Sequence, residues 1–423
     1  MKIKILSTGD EIVSGGVVDT NASWLAASLL GLGLTVDCFV AVGDDFGTLR
    51  RTIADLAAET DILIVTGGLG PTNDDITAEA AAGAVNTKTI LNPEALGLVT
   101  DYFNRKGWPM NPSNKKQAVL PRDCRVIENE VGTAPGFYLR ISGCHGFFMP
   151  GVPKEMKAMT LNWVLPWIQR YAAKNLGRTL TDITPRTITV FGLPESEVGA
   201  RLKDLATQFP GVRPGFRADF PLIQVKLYPD SEKRGGGENI LDQAEQFVVT
   251  TLGRWVISRE GLTMEQEVGR LLVQKKATIA LAESCTGGLM ASMLTDVPGS
   301  SEYFIFSGVT YSNEAKIRVL GVRQSTLESH GAVSEETAGE MAQGVRRLTQ
   351  ATYGISTSGV AGPGGGSPEK PVGMVCIGIA GPGFCTTKRY GFAFNDRTMN
   401  KQIFAVTALG ALRKRMLMQG GSV

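Results

Sequence analysis

Asp61-Ile62-Leu63-Ile64-Val65-Thr66, followed at once by Gly67 and Gly68, is a short β-branched run that stops at a glycine turn. Such a run, bounded by turn residues, has the form of a strand in a sheet covered on both faces. The residues before it agree. Residues 2–8 alternate and reach Gly9, residues 20–30 have helical spacing and stop at Gly31, residues 34–42 form a strand ending at Gly43, and residues 46–59 are helical. This β-α-β-α-β order predicts a mostly parallel, three-layer α/β sheet, in which ligands sit at the carboxyl ends of the strands.

The 423 residues allow two to four domains at roughly 100–200 residues each. The pattern changes twice along the chain, which predicts domains at 1–170, 171–258 and 259–423. In the middle segment, strands are expected at 186–191, 221–228 and 255–258, with a helix from Pro194 to Leu205. Lys233-Arg234-Gly235-Gly236-Gly237 reads as a mobile loop by composition. In the last segment, strands are expected at 277–282, 303–311, 353–360, 372–380 and 385–392. Helices fit 264–274, 313–320, 334–348 and 395–413, with Ser334 as an N-cap.

A formal charge of +2 and the lack of a basic stripe with interleaved aromatics give no reason to expect nucleic acid as a partner. The longest nearly apolar stretch, Trp24 to Val36, is too short to span a bilayer, so no membrane partner is expected. The opening Met1-Lys2-Ile3-Lys4-Ile5-Leu6 has the pattern of a strand rather than of a signal peptide, so the expected location is the cytoplasm. None of the six cysteines forms a C-x-x-C pair, and only two histidines, His145 and His330, are present. A histidine-rich metal site is excluded. A serine hydrolase built on this chain has few imidazoles to draw on.

Ser284 lies where a strand turns into a helix, in Ala282-Glu283-Ser284-Cys285-Thr286-Gly287-Gly288. A hydroxyl there stands above the sheet, near backbone amides that can hold an oxyanion. The flanks are not G-x-S-x-G, and a helix-capping serine beside a phosphate loop fits the pattern as well. A serine nucleophile needs a base. His145 falls in another segment and His330 reads as a turn residue, which leaves lysine. Tyr311-Ser312-Asn313-Glu314-Ala315-Lys316 puts Lys316 one turn into a helix, either buried as a base or exposed on the helix face. Thr357-Ser358-Gly359-Val360-Ala361-Gly362-Pro363-Gly364-Gly365-Gly366 is a glycine loop that can offer amides to an anion or simply close a hairpin. Arg397, in Asn395-Asp396-Arg397, is a phosphate ligand or a surface arginine.

Taken in order, A-E-S-C-T-G-G, Y-S-N-E-A-K, S-G-V-A-G-P-G-G-G and N-D-R resemble the C-terminal domain of the competence/damage-inducible CinA family, which is similar to the nicotinamide mononucleotide deamidase PncC. The resemblance covers roughly 260–415. It implies an amidase with Ser284 as nucleophile, Lys316 as base and Tyr311 assisting. It implies substrate contacts from Cys285, Thr286, Gly287, Gly288, Ser358, Gly359, Gly362, Gly364 and Arg397, and no cofactor. Cys285 is the rival nucleophile. The family usually has a second Arg after the first; here the nearest basic residue is Lys401. The implied reaction turns nicotinamide mononucleotide into nicotinate mononucleotide and ammonia.

Near the other end, Thr66-Gly67-Gly68-Leu69-Gly70-Pro71-Thr72-Asn73-Asp74-Asp75 follows a strand and leads to a helix, with Thr8-Gly9-Asp10-Glu11 facing the same crevice. Its glycines suit phosphate, and Asp74 and Asp75 either hold a divalent cation or cap the helix. These segments resemble the MoaB/MogA-like, molybdopterin-binding domain that begins full-length CinA proteins, over about 1–170. The resemblance implies a metal-dependent ADP-ribose pyrophosphatase using cobalt or magnesium, with Thr66, Gly67, Gly68, Gly70, Thr72, Asp10 and Glu11 around the nucleotide and Asp74 and Asp75 on the metal. It also makes the middle segment a small α+β, KH-type module. Parallel-sheet nucleotide enzymes of this type often pair, so a homodimer is the expected assembly. Two alternatives stay open: a pyrophosphatase with a silent amidase domain, and a non-enzymatic, competence-related nucleotide-binding module.

Overall fold

The computed structural model describes residues 1–177, 180, 185–229 and 237–418, in two compact units, Met1–Thr184 and Pro185–Val423. Most of the loop expected at 233–237 lies outside the described residues, and Gly237 already begins a helix, Gly237–Leu252.

The first unit is built on a six-stranded sheet of β1 (Ile3–Thr8), β2 (Cys38–Val42), β3 (Ile62–Thr66), β4 (Arg125–Ile127), β5 (Gly136–Ile141) and β6 (Cys144–Met149). The spatial order is β2-β1-β3-β6-β5-β4. β2, β1, β3 and β6 run parallel; β5 is antiparallel to β6, and β4 is antiparallel to β5. All five residues of β3 are buried. Its alternation sends Ile62 and Ile64 to the face packed by Leu25 and Leu29 of α1 (Thr20–Gly31), and Leu63 and Val65 to the face packed by Leu49 and Ile53 of α2 (Phe46–Ala58). Each such side chain adds about 1.5–3 kcal/mol of burial. Asp19 and Asp45 cap the two helices through the amides of Ala22 and Thr48, at 2.9 and 2.8 Å. The strand expected over 34–42 begins only at Cys38. The Leu34 amide is still bonded to the Leu29 carbonyl, closing α1, at 3.0 Å.

The second unit holds two sheets. The smaller, antiparallel one is β7 (Arg186–Phe191), β8 (Val212–Asp219), β9 (Leu222–Pro229) and β10 (Val256–Ser258), in the order β8-β9-β7-β10. β8 was not expected from the sequence: Pro214 and Gly215 interrupt its pattern, which an edge strand tolerates. The helix expected from Pro194 to Leu205 is two short ones, Glu195–Arg201 and Leu205–Gln208, and the longer helix Gly237–Leu252 follows as α3.

The larger sheet contains β11 (Ile279–Glu283), β12 (Phe304–Val309), β13 (Tyr353–Gly359), β14 (Met374–Gly381) and β15 (Phe384–Gly391), in the order β12-β11-β13-β14-β15. β11 is parallel to both neighbours; β14 and β15 return antiparallel. It is covered by α4 (Met264–Gln274), α5 (Leu289–Thr295), α6 (Asn313–Leu320), α7 (Glu335–Thr349) and α8 (Arg397–Met418). Ser334 caps α7 through the Thr337 amide at 3.2 Å, as expected. His330, read as a turn residue, ends a short helix, Gln324–His330. Among the described residues no helix is long and apolar enough to cross a membrane.

Candidate active site

The parallel register ends β11 at Glu283, opposite Val309 of β12 and Thr357 of β13. Ser284 is the next residue. Its amide donates to the Thr357 carbonyl at 3.1 Å, and its carbonyl accepts from Gly287 N at 3.2 Å. Gly287 and Gly288 then adopt φ of 60° and 90°, which L side chains resist, and α5 begins at Leu289.

α6 starts two residues after Tyr311, with the Ser312 hydroxyl accepting from the Ala315 amide at 3.1 Å. Lys316 thereby points inward. It is 1% exposed, and its Nζ lies 3.2 Å from Ser284 Oγ, 2.9 Å from the Thr310 carbonyl and 3.0 Å from the Tyr311 carbonyl. No carboxylate pairs with it among the described residues. Burial therefore pushes its pKa below the ordinary lysine value. The reading of Lys316 as an exposed helix residue does not hold.

Neither histidine competes for the role. His330 is exposed and sits 3.7 Å from Glu336. His145 in the first unit is engaged by Tyr138 and Arg140, and burial, with the Arg140 charge, lowers it to about 4. Cys285 is buried, which pushes its thiol up to about 12.

Other expected residues lie at varying distances from Ser284. The Tyr311 side chain is exposed, and its hydroxyl accepts from Arg397 at 3.3 Å; only its main-chain carbonyl touches Lys316. Arg397 also donates to the Gly362 carbonyl at 2.7 Å. The Ser358 hydroxyl donates to the Ala332 carbonyl at 2.6 Å, while its neighbour Thr357 bonds Thr286 at 2.8 Å. Gly359 is paired with Val375 at the strand end, and Gly364 has open space around it. Lys401, one turn beyond Arg397 on α8, brings its Nζ to 3.6 Å from where a Cβ on Gly287 would stand.

Two residues around Ser284 were missed from the sequence. Buried Asn400 fastens the glycine loop by donating to the carbonyls of Ala361 and Phe394, at 3.0 and 2.9 Å. Buried Glu283 accepts from the amides of Gly288, Met290 and Ala291. Asn400 carried no motif, and Glu283, although inside A-E-S-C-T-G-G, shows its contacts only once the chain is folded.

In the first unit, a cleft of about 460 Å³ opens where β1, β3 and β6 end. Glu11, Thr66, Gly67, Gly68, Gly70, Asp74 and Asp75 line it. A Cβ on Gly67 would stand 2.4 Å from the Thr8 carbonyl oxygen, so this turn requires glycine. Asn21, unremarked in the sequence, donates to Thr66 Oγ1 and to the Gly151 carbonyl at 3.2 and 2.7 Å. The Asp75 carboxylate accepts from both the amide and the hydroxyl of Thr72. Asp10 and Asp44 exchange amide-to-carboxylate bonds at 3.0 Å. Burial raises the Asp44 carboxyl, and the charges of Asp10, Glu11 and Asp74 raise it further. No group of three His, Cys, Asp or Glu able to enclose a metal ion occurs among the described residues.

Residues 262–416 match the CinA C-terminal domain family, and residues 4–170 match the probable molybdopterin binding domain family. A CinA-like protein of Desulfosudis oleivorans is 49% identical, over 99% of this chain and all of its own length. A CinA-like protein of Geobacter metallireducens is 44% identical, again over 99% of this chain and all of its own length. Among solved structures, the competence/damage inducible protein CihA of Agrobacterium tumefaciens is 36% identical, covering 37% of this chain and 97% of its own, with a TM-score of 0.35. With full-length relatives at this level of identity, the chain belongs to the CinA family.

Proposed function

We propose that the Ser284 site hydrolyses the carboxamide of nicotinamide mononucleotide to nicotinate mononucleotide and ammonia. The observation that carries this is the buried Lys316 amine, 3.2 Å from Ser284 Oγ. A neutral amine has two N–H bonds and one lone pair. With the N–H groups given to the carbonyls of Thr310 and Tyr311, the lone pair is left facing the serine hydroxyl. Ser284 Oγ attacks the carboxamide carbon as Lys316 takes its proton. The resulting ammonium returns the proton to the departing amide nitrogen, ammonia leaves, and an ester on Ser284 remains. Water then attacks that ester, with Lys316 as base again, and releases the carboxylate.

The amides of Gly288, Met290 and Ala291 already serve Glu283, so the donors left for the oxyanion are those of Cys285 and Thr286 inside the turn. The direct test is ammonia release from nicotinamide mononucleotide by the whole chain. No release by a folded preparation refutes the proposal.

Arg397 and Lys401 have no carboxylate partner among the described residues, and both stand beside the Ser284 turn or the glycine loop. This favours an anionic substrate group such as a 5′-phosphate. Lys401→Ala is expected to raise KM for nicotinamide mononucleotide about tenfold or more with little change in kcat. The phosphate-free nucleoside should show no such change; an equal loss with it would contradict the assignment.

The glycine-lined cleft of the first unit favours a second reading, a phosphoanhydride hydrolase acting on ADP-ribose. Its oxygen donors suit a magnesium-type ion held by one or two carboxylates and shared with phosphate; Asp74 and Asp75 both line the cleft, and both bond Thr72. Such an ion would neutralise charge developing on the phosphates. Ammonia release should persist in chelator. Cleavage of ADP-ribose should stop in chelator and fall at least tenfold in Asp74→Asn; cleavage that survives both would remove the metal from the reading.

A further inference from the structure

We propose that Glu283 is the positioning residue of the nucleophile turn, an inference that rests on the amidase reading and deepens it. Its carboxylate is wholly buried. One oxygen accepts from Gly288 N at 2.9 Å and Met290 N at 3.2 Å. The other accepts from Ala291 N at 3.0 Å and from Ser307 Oγ at 3.1 Å. Four donors thus converge on one side chain, and they come from the start of α5 and from β12. Glu283 itself ends β11. The carboxylate ties these three elements together, and Ser284 to Gly287 is the short stretch between its anchor and its grip.

The clamp is specific for a carboxylate. Gly288 and Met290 present N–H groups that can only donate, and so does Ala291; only the Ser307 hydroxyl can turn to accept. A glutamine at this position must set its NH₂ group against at least one N–H. In its best orientation it satisfies Gly288, Met290 and Ser307 and leaves Ala291 without a partner. The start of α5 then shifts, and with it the turn that aims Ser284 Oγ at the Lys316 amine. The negative charge also lies at the positive end of α5. The substrate anion is therefore held by cations from α8 and the oxyanion by amides inside the turn, not by the helix end.

Glu283 touches neither Lys316 nor the site of the reacting atoms, so its effect acts through geometry. In the whole chain, Glu283→Gln is expected to lower kcat about 100-fold with KM nearly unchanged, since a displacement near 1 Å has that effect on an aligned nucleophile. The midpoint of the acid limb of the pH profile, which reports Lys316, should not move. Hydrogen exchange of the amides of 288–291 should accelerate. A wild-type kcat, or a shifted acid limb, overturns the proposal. If Glu283→Gln does not fold, Ser307→Ala carries the test. It removes one of the four donors and should lower kcat about threefold to tenfold at constant KM; wild-type kcat and exchange would overturn it. Absence of ammonia release by the wild type refutes the amidase reading instead. The exchange measurement then decides alone, acceleration upholding the clamp and unchanged exchange removing it.

Discussion

Lys316→Met is expected to lower kcat for ammonia release by about 10²–10⁴-fold while KM stays within roughly threefold. Methionine keeps the length and apolar stem of lysine and removes only the amine. The amine is the one basic group that reaches Ser284 Oγ among the described residues, so no neighbour can replace it. The pH dependence follows from the same burial. Because the pKa of Lys316 lies below the ordinary lysine value, the wild-type rate should rise with pH through that lowered value, as the amine becomes free to accept a proton.

The stability effect has a definite sign as well. Between the folded and the unfolded pKa, the unfolded chain binds a proton that the folded chain does not, so stability rises with pH across that window. Below the folded value the full penalty of a buried ammonium is present. Lys316→Met lacks the penalty, so its melting temperature should compare most favourably with wild type at low pH and lose that advantage as pH rises toward the ordinary lysine value. A variant that keeps a tenth or more of the wild-type kcat would show that Lys316 is not the base.

Much of this site was legible before folding because its chemistry is carried by local patterns. The A-E-S-C-T-G-G turn and the Y-S-N-E-A-K helix start are each contiguous, and each fixes where one reactive atom stands relative to its own element. What joins them is the parallel pairing of β11 with β12, which places Glu283 opposite Val309 and so brings α6 over the turn. That pairing was expected only as a sheet class. The particulars that the sequence does not show are those that depend on side-chain direction. Thr357 and Ser358 look interchangeable in sequence, yet the two-residue period of β13 sends Thr357 to Thr286 and Ser358 to Ala332 on the other side. Tyr311 precedes Lys316 by little more than one turn, but it lies outside α6 and its ring follows the surface to Arg397. Asp74 and Asp75 stand side by side in sequence, and Thr72 bonds both. In the smaller sheet, β8 was hidden by a proline that only an edge position permits.

Ser284→Ala should abolish ammonia release, a loss on the order of 10⁶-fold when a hydrolase loses its nucleophile, while Cys285→Ala should keep kcat within roughly tenfold of wild type. The two residues are adjacent, and a thiol is intrinsically the better nucleophile, so the contrast rests on their surroundings. Ser284 has a base at 3.2 Å. Cys285 is packed into the hydrophobic core with its thiol held at about 12, which leaves on the order of one molecule in 10⁵ as thiolate at neutral pH. Removing the thiol should therefore register mainly as a small loss of packing, read as a lower melting temperature, and not as a loss of rate. The serine variant should show the reverse: an unchanged fold, since the substitution removes one hydroxyl and one hydrogen bond, and no turnover. Mass spectrometry of the wild type quenched during turnover should find the nicotinoyl mass on the peptide containing residue 284, attached to the oxygen. Activity that survives in Ser284→Ala and disappears in Cys285→Ala would invert the assignment. It would also require the core around Cys285 to open during turnover, because the thiol is buried there.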